Sequence, residues 1–119
     1  MSHMRLSEQI GKYCVTVEDG QRIYKLIHPL LSAKQTVQLD FADVQIVASP
    51  FLNAAVGQLL RDLDSETLNA HLKFENLASS FKPILRRVIE NAKRYYSDPA
   101  YRAAVEAVLS KREEDFDAD

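Results

Sequence analysis

The sequence predicts an α/β domain: a small mixed sheet of about four strands, amphipathic helices packed mainly on one of its faces, and two consecutive helices at the C-terminal end. Three observations predict it. Segments that alternate in period two, "TVQLDF" and "HLKFENL", are interleaved with segments whose apolar residues recur at helical spacing. The strand segments alternate instead of being apolar throughout, so one sheet face is better covered than the other. No strand pattern separates the last two helical stripes.

Taken in order, the N-terminal region offers two candidates for the first strand. "MRLSEQI" reads as a short strand, and the β-branched, alternating "KYCVTV" competes for the role. In "TVEDGQRIYKLIHPLL" Thr16 and Asp19 form a loose capping box, and Ile23, Leu26, Ile27, Leu30 and Leu31 form the apolar stripe. Pro29 is expected to kink or end that helix near His28. Val37, Leu39 and Phe41 lie on one side of the next strand, with Val44, Ile46 and Val47 extending it or forming another after the Ala42-Asp43 break. A helix opens after Pro50, with Leu52, Ala55, Val56, Leu59, Leu60 and Leu63 on one stripe and Gly57 in its middle, where glycine costs about 1 kcal/mol against alanine. Leu72 and Phe74 point inward from the following strand. The long helix of "SSFKPILRRVIENAKRYY" carries a stripe from Phe81 to Tyr96. The last helix takes Asp98 as cap and Pro99 at its first position, with Tyr101, Ala104, Val105, Val108 and Leu109 as its stripe.

Size and composition narrow the function classes. The chain has 119 residues, 46% apolar and 27% charged, with a net charge of −2, so one domain is expected and no overall attraction to nucleic acid or anionic membrane. A single cysteine, Cys14, leaves no disulfide framework and no Cys-rich zinc site, and it reads as a small core residue. No apolar run approaches the roughly 20 residues needed to span a bilayer, and no signal peptide pattern is present, so a cytoplasmic protein is expected. "MSHM" has the look of a cloning remnant occupying residues 1–3, which leaves His3 without a function. The domain is then expected over 4–112, followed by an acidic flexible tail at 113–119.

Catalytic chemistry is not indicated. His28 and His71 have no cysteine or carboxylate at ligand spacing, so neither a metal nor another cofactor is expected. Asp62 and Asp64 read as a solvated turn. With only three glycines there is no phosphate-binding loop. Arg86, Arg87, Lys93 and Arg94 make one helix basic on its outer side, diluted by Glu90. That face supports an alternative, a nucleic-acid-binding accessory protein, which the net acidity disfavours. Tyr95, Tyr96 and Tyr101 are expected to staple the last two helices. An unpaired N-terminal edge strand leaves a homodimer open.

"VQLDFADVQIVASPFLNAAVGQLL", residues 37–60, is the most informative stretch. Ser49-Pro50 reads first as a helix start, with Pro50 at the first helical position and the Ser49 hydroxyl as cap. The stretch also resembles the bacterial STAS-like domains of unknown function, in which a strand ending in Asp-Phe and a short hydrophobic step lead into a Ser-(Ser/Pro)-Phe turn that opens a helix. "TVEDGQRIYKLI" resembles that family's first helix, "LKFENL" its next strand and "LRRVIENAKRYY" the helix after it, so the likeness runs from about Leu6 to Tyr96. Such domains are similar in turn to STAS anti-sigma factor antagonists. The resemblance implies a regulatory protein–protein interaction module, not an enzyme, that binds a histidine-kinase-like ATPase or an anti-sigma protein. It places Asp40, Asp43, Ser49, Pro50 and Asn53 on the partner-binding surface and makes Ser49 the candidate phosphoacceptor. Antagonists have Asp-Ser-Ser where this chain has Ala48-Ser49-Pro50: the usual phosphoserine falls on Pro50, and Ser49 matches the serine before it.

Overall fold

A computed structural model describes residues 2–117. Five strands and six helices follow one another: β1 (Ser2–Arg5), α1 (Leu6–Gln9), β2 (Tyr13–Cys14), α2 (Val17–Ser32), β3 (Val37–Asp40), β4 (Ile46–Val47), α3 (Ser49–Ala55), α4 (Ser65–His71), β5 (Leu72–Glu75), α5 (Lys82–Ser97) and α6 (Pro99–Asp117). The expected single mixed sheet is replaced by two parallel ones, a three-stranded sheet in the order β1-β3-β5 and a two-stranded β2-β4 pair. Of the two N-terminal candidates, "MRLSEQI" gives only Met4 and Arg5 to β1 and folds into α1 from Leu6, while "KYCVTV" supplies Tyr13 and Cys14 as β2. The cause of the split lies after Asp40. Asp43 adopts a left-handed conformation, φ 66°, and Val44 N–H donates to Phe41 C=O at 3.0 Å. This tight turn carries the chain out of the first sheet, so Ile46 and Val47 pair with Tyr13 and Cys14 instead.

Alternation in the three-stranded sheet sorts its faces as expected. Val37, Leu39 and Leu72 are buried and Phe74 is partly buried, while Gln38, Lys73 and Glu75 alternate with them on the other side. Phe41, just beyond β3, is buried as well and packs against Phe74, with ring centroids 6.4 Å apart.

In α2 the Thr16 hydroxyl accepts from Asp19 N–H at 3.1 Å, the capping predicted from the sequence. The stripe is narrower than the periodicity suggests. Ile23, Ile27 and Leu31 are fully buried, but Leu26 is 45% exposed. Pro29 does not end α2, which continues to Ser32. Its missing N–H falls in the last turn, and that turn is held by the buried Leu31 and by a C-terminal lock. Lys34, at φ 61°, donates to Leu31 C=O, and Gln35 N–H donates to Leu30 C=O at 2.9 Å. Gly20 sits where α2 crosses α3. A Cβ built there would lie 2.6 Å from Ala54 Cβ and 2.6 Å from the Phe51 carbonyl oxygen, so only glycine lets the helices approach this closely.

The helix after Ser49 is shorter than predicted. It stops at Ala55, and a 3₁₀ turn, Gly57–Arg61, follows a break at Val56. Phe51, Leu52, Ala55, Val56 and Leu59 are buried nonetheless, because 3₁₀ and α turns project these positions to nearly the same side. The turn expected at Asp62-Asp64 forms and leads into an unforeseen helix, α4. Asp64 caps it by accepting from Thr67 N–H at 2.7 Å, and its own carboxyl is thereby held below the usual carboxylate range. His71 ends that helix and does not begin the strand. In α5, Leu85, Val88 and Ala92 face the core, and Asp98 caps α6 by accepting from Ala100 and Tyr101 N–H. Of the predicted α6 stripe, Tyr101 and Val105 are half-buried, whereas Ala104 and Val108 are exposed. Tyr95 donates to Glu106 at 3.0 Å and Arg94 stacks on the Tyr101 ring at 4.2 Å, so the tyrosines do join α5 to α6. The segment expected to be an acidic tail enters α6 as far as Asp117, and Ala118 and Asp119 lie outside the described residues.

Candidate functional site

The chain passes through the predicted surface from Asp40 to Asn53, and its geometry is set first by Asp40. This residue ends the central strand and is 3% exposed. Its Oδ1 accepts from Ala42 N–H and from Asn76 Nδ2, both at 2.9 Å, and its Oδ2 lies 2.9 Å from His3 Nε2. The Asn76 amide, then the Ala42 N–H, hold the carboxyl below the usual carboxylate range, against the opposing effect of burial. Asp40 is therefore a buried group whose oxygens are taken up by Ala42, Asn76 and His3. The expectation that it faces a partner is corrected on that ground.

The other four residues of the predicted surface are exposed: Asp43, Ser49, Pro50 and Asn53. Ser49 does not cap α3. The residue with extended backbone before the first turn is Ala48 (φ −121°, ψ 155°), whose side chain offers no oxygen, and no side-chain cap bond forms. The turn is held from below instead, by Ala48 N–H donating to Cys14 C=O at 2.9 Å and by the burial of Phe51 and Leu52. The Ser49 hydroxyl is left free of any side-chain hydrogen bond among the described residues.

Beside this turn the two-stranded sheet exposes apolar side chains that the sequence reading did not single out. Tyr13 and Ile46 are cross-strand partners, 57% and 46% exposed, and Val15 and Val17 continue the patch at 37% and 48%. The alternation of "KYCVTV" was the available signal: Cys14 points into the core, so its neighbours Tyr13 and Val15 point out. Cys14 itself is fully buried, and burial pushes its thiol up to about 11. From Val17 the surface runs into a groove of about 620 Å³ whose walls include Pro50, Asn53, Tyr95, Tyr101 and Val105.

The basic residues of α5 do not form a single row. Arg86, Arg87, Lys93 and Arg94 are all exposed. Arg86 and Lys93 line a groove of about 530 Å³ with Lys82, Glu90 and an apolar floor that includes Phe74 and Leu85. Arg87 and Arg94 are displaced by about 100° around the helix, and Arg94 is held against Tyr101. Of the histidines, His28 Nε2 lies 2.8 Å from Asp62 Oδ2, which ties α2 to the end of the 3₁₀ turn, and His71 Nδ1 is buried without a hydrogen-bond partner among the described residues. No helix among the described residues is long and apolar enough to cross a membrane.

A family model described as a STAS-like domain of unknown function (DUF4325) matches residues 19–82, a span that holds α2 through the start of α5 and all of the 40–53 surface. No curated protein and no solved structure matches the chain.

Proposed function

The chain belongs to the family of STAS-like domains of unknown function, and from that membership we propose that it is a non-enzymatic regulatory module acting in the cytoplasm by binding another protein. One observation carries the reading. The apolar side chains of Tyr13, Val15 and Ile46 are exposed next to the exposed turn of Asp43, Ser49, Pro50 and Asn53. A contiguous exposed apolar patch with a polar rim is the character of a protein docking surface. The partner is a histidine-kinase-like ATPase or an anti-sigma protein, the class that the resemblance to sigma-pathway antagonists implies. Phosphorylation of Ser49 turns binding off. It places about −1.5 to −2 charges where the partner has to remove water from the Tyr13–Ile46 patch, and Asp43 on the same rim adds to the repulsion.

Binding of a purified histidine-kinase-like ATPase from the source cell to immobilised wild type, Ile46→Asp, Asn53→Ala, Ser49→Ala and Ser49→Asp tests this. Expected is a loss of at least about tenfold for Ile46→Asp and Ser49→Asp, with Ser49→Ala unchanged. An unchanged affinity for Ile46→Asp sinks the surface. An unchanged affinity for Ser49→Asp removes the switch and leaves the surface standing. Nucleic-acid binding is the second reading, favoured by Lys82, Arg86 and Lys93 on one groove rim. It requires binding that falls steeply with added salt.

A further inference from the structure

At the carboxyl ends of the three parallel strands, three potential ligands from three strands meet. Arg5, Asp40 and Glu75 are cross-strand partners in register, and His3, in the segment that the sequence reads as a cloning remnant, is part of β1, pairs with Gln38 and lies on their face. His3 Nε2 is 2.9 Å from Asp40 Oδ2 and 3.5 Å from Glu75 Oε2, and all three donor atoms lie within 4.8 Å of one another. Ligand atoms about 2.0–2.2 Å from one ion stand roughly 3.0–3.5 Å apart at tetrahedral or octahedral angles. The two shorter separations here already match that spacing.

The presentation of Asp40 is the second observation. Ala42 N–H and Asn76 Nδ2 both bond Oδ1, which fixes the carboxylate plane and leaves Oδ2 turned to His3. A carboxylate oriented in this way by outer hydrogen bonds is how ligating carboxylates are held. The third observation is charge. Two carboxylates converge here, one of them 3% exposed, and of the basic residues on the same face Arg5 is turned 3.7 Å from Glu8 and Lys73 donates to the Asn69 carbonyl at 2.9 Å. His3 and Glu75 stay 47% and 38% exposed, so the cluster is open to an ion from solvent.

We propose that His3, Asp40 and Glu75 form a three-ligand site for a borderline divalent transition metal of the Zn²⁺ or Co²⁺ class. One imidazole with two carboxylates suits such ions. Ca²⁺ takes six to eight oxygen ligands and Mg²⁺ rarely binds imidazole, so neither is expected. The ion replaces the His3–Asp40 hydrogen bond and ties the ends of β1, β3 and β5 together. Its remaining positions are open to water. The site uses none of the contact residues of the docking surface proposed above, although Asp40 also holds the turn that leads to it.

The test uses the whole chain, with Zn²⁺ and Co²⁺ titrated by calorimetry and Mg²⁺ and Ca²⁺ in parallel. Expected are one equivalent of Zn²⁺ or Co²⁺, a rise in melting temperature, and paramagnetic broadening by Co²⁺ of amide signals around residues 3, 40 and 75. His3→Ala and Glu75→Gln each weaken binding at least tenfold, while His28→Ala and His71→Ala bind as wild type does. His3 and Glu75 are partly exposed, so both variants fold, which circular dichroism checks. No binding at millimolar Co²⁺ overturns the proposal, as does binding lost only with His28 or His71. Binding lost in His3→Ala but intact in Glu75→Gln also overturns it, because His3 with the chain's amino terminus then accounts for the metal.

Discussion

Replacing Gly20 by alanine tests the packing that positions the whole candidate surface, because α3 carries Ser49 to Asn53 and is held down by α2. The added methyl carbon would stand 2.6 Å from Ala54 Cβ and 2.6 Å from Phe51 O, and 3.2 Å from Ala55 N. Carbon atoms in contact prefer about 3.5–4.0 Å, so the helices have to separate by roughly 1 Å. Two of the three obstacles are backbone atoms, which no rotamer change relieves. Overpacking of this kind costs about 1–3 kcal/mol. Separation also loosens the fully buried Ile23, Ile27 and Leu52, which places the cost at the upper end. Alanine returns up to about 1 kcal/mol through helix propensity. The net loss is about 1–2 kcal/mol, or a fall in melting temperature of about 3–10 °C for a domain of this size. Urea unfolding followed by circular dichroism measures it, with Gly57→Ala as the paired control. A Cβ at Gly57 meets Val88 Cγ1 at 3.5 Å, Asn53 Oδ1 at 3.6 Å and Ala92 Cβ at 3.7 Å, all ordinary contacts. That variant is neutral or stabilising by a few tenths to 1 kcal/mol. If Gly20→Ala is as stable as wild type, the close crossing of α2 and α3 is wrong, and the placement of α3 with it.

Three further outcomes follow from the same geometry. Ser49→Ala leaves stability unchanged, because Ser49 makes no cap bond, whereas Thr16→Ala removes the bond to Asp19 N–H and costs about 1 kcal/mol in denaturant unfolding. Asp40→Ala strands the Ala42 and Asn76 donors and costs about 2–4 kcal/mol. Since the folded carboxyl of Asp40 is lowered from 3.8, its contribution is present above the unfolded value and is lost as the pH falls below about 4 toward the folded value. The stability difference between wild type and Asp40→Asn therefore shrinks on acidification, and a constant difference down to acid unfolding contradicts the assignment. Cys14, buried and raised to about 11, stays unmodified by iodoacetamide at pH 8 and reacts at the rate of unfolding.

Much of the fold was legible because local and tertiary signals agree. Thr16, Asp98 and Pro99 mark helix starts that the structure uses as read, and the alternation of β3 and β5 survives as buried and exposed faces. The errors have physical sources. Leu26 fits a helical stripe by spacing alone, but the stripe narrows to the positions that face α3 and β3, so it is left outside. Pro29 counts against the helix through the hydrogen bond it removes, and the Lys34 lock that offsets this depends on a left-handed lysine that sequence does not announce. "DSETLNAH" is too short for a period to show, although the capping Asp64 three residues before Thr67 was visible. The cluster of His3, Asp40 and Glu75 lies outside any spacing argument. Its members are 37 and 35 residues apart along the chain and meet only through the register of three parallel strands.

Asp40 shows how a correctly chosen residue can carry a wrongly chosen role. The resemblance places it on the partner surface, and the structure puts it beneath that surface. Its bond to Ala42 N–H holds the turn that ends in the left-handed Asp43, and that turn sends the chain into β4, the strand that exposes Ile46 and leads to Ser49. Under the proposed reading, Asp40 acts on a partner through the backbone it fixes. Its substitution should weaken partner binding in proportion to the loss of folded or ordered turn, and Asp43→Asn, which leaves those bonds in place and tolerates the left-handed backbone, should weaken it without loss of stability. The two substitutions separate positioning from contact, and under the proposed reading Asp43, Ile46, Ser49, Pro50 and Asn53 are the contact residues on this segment.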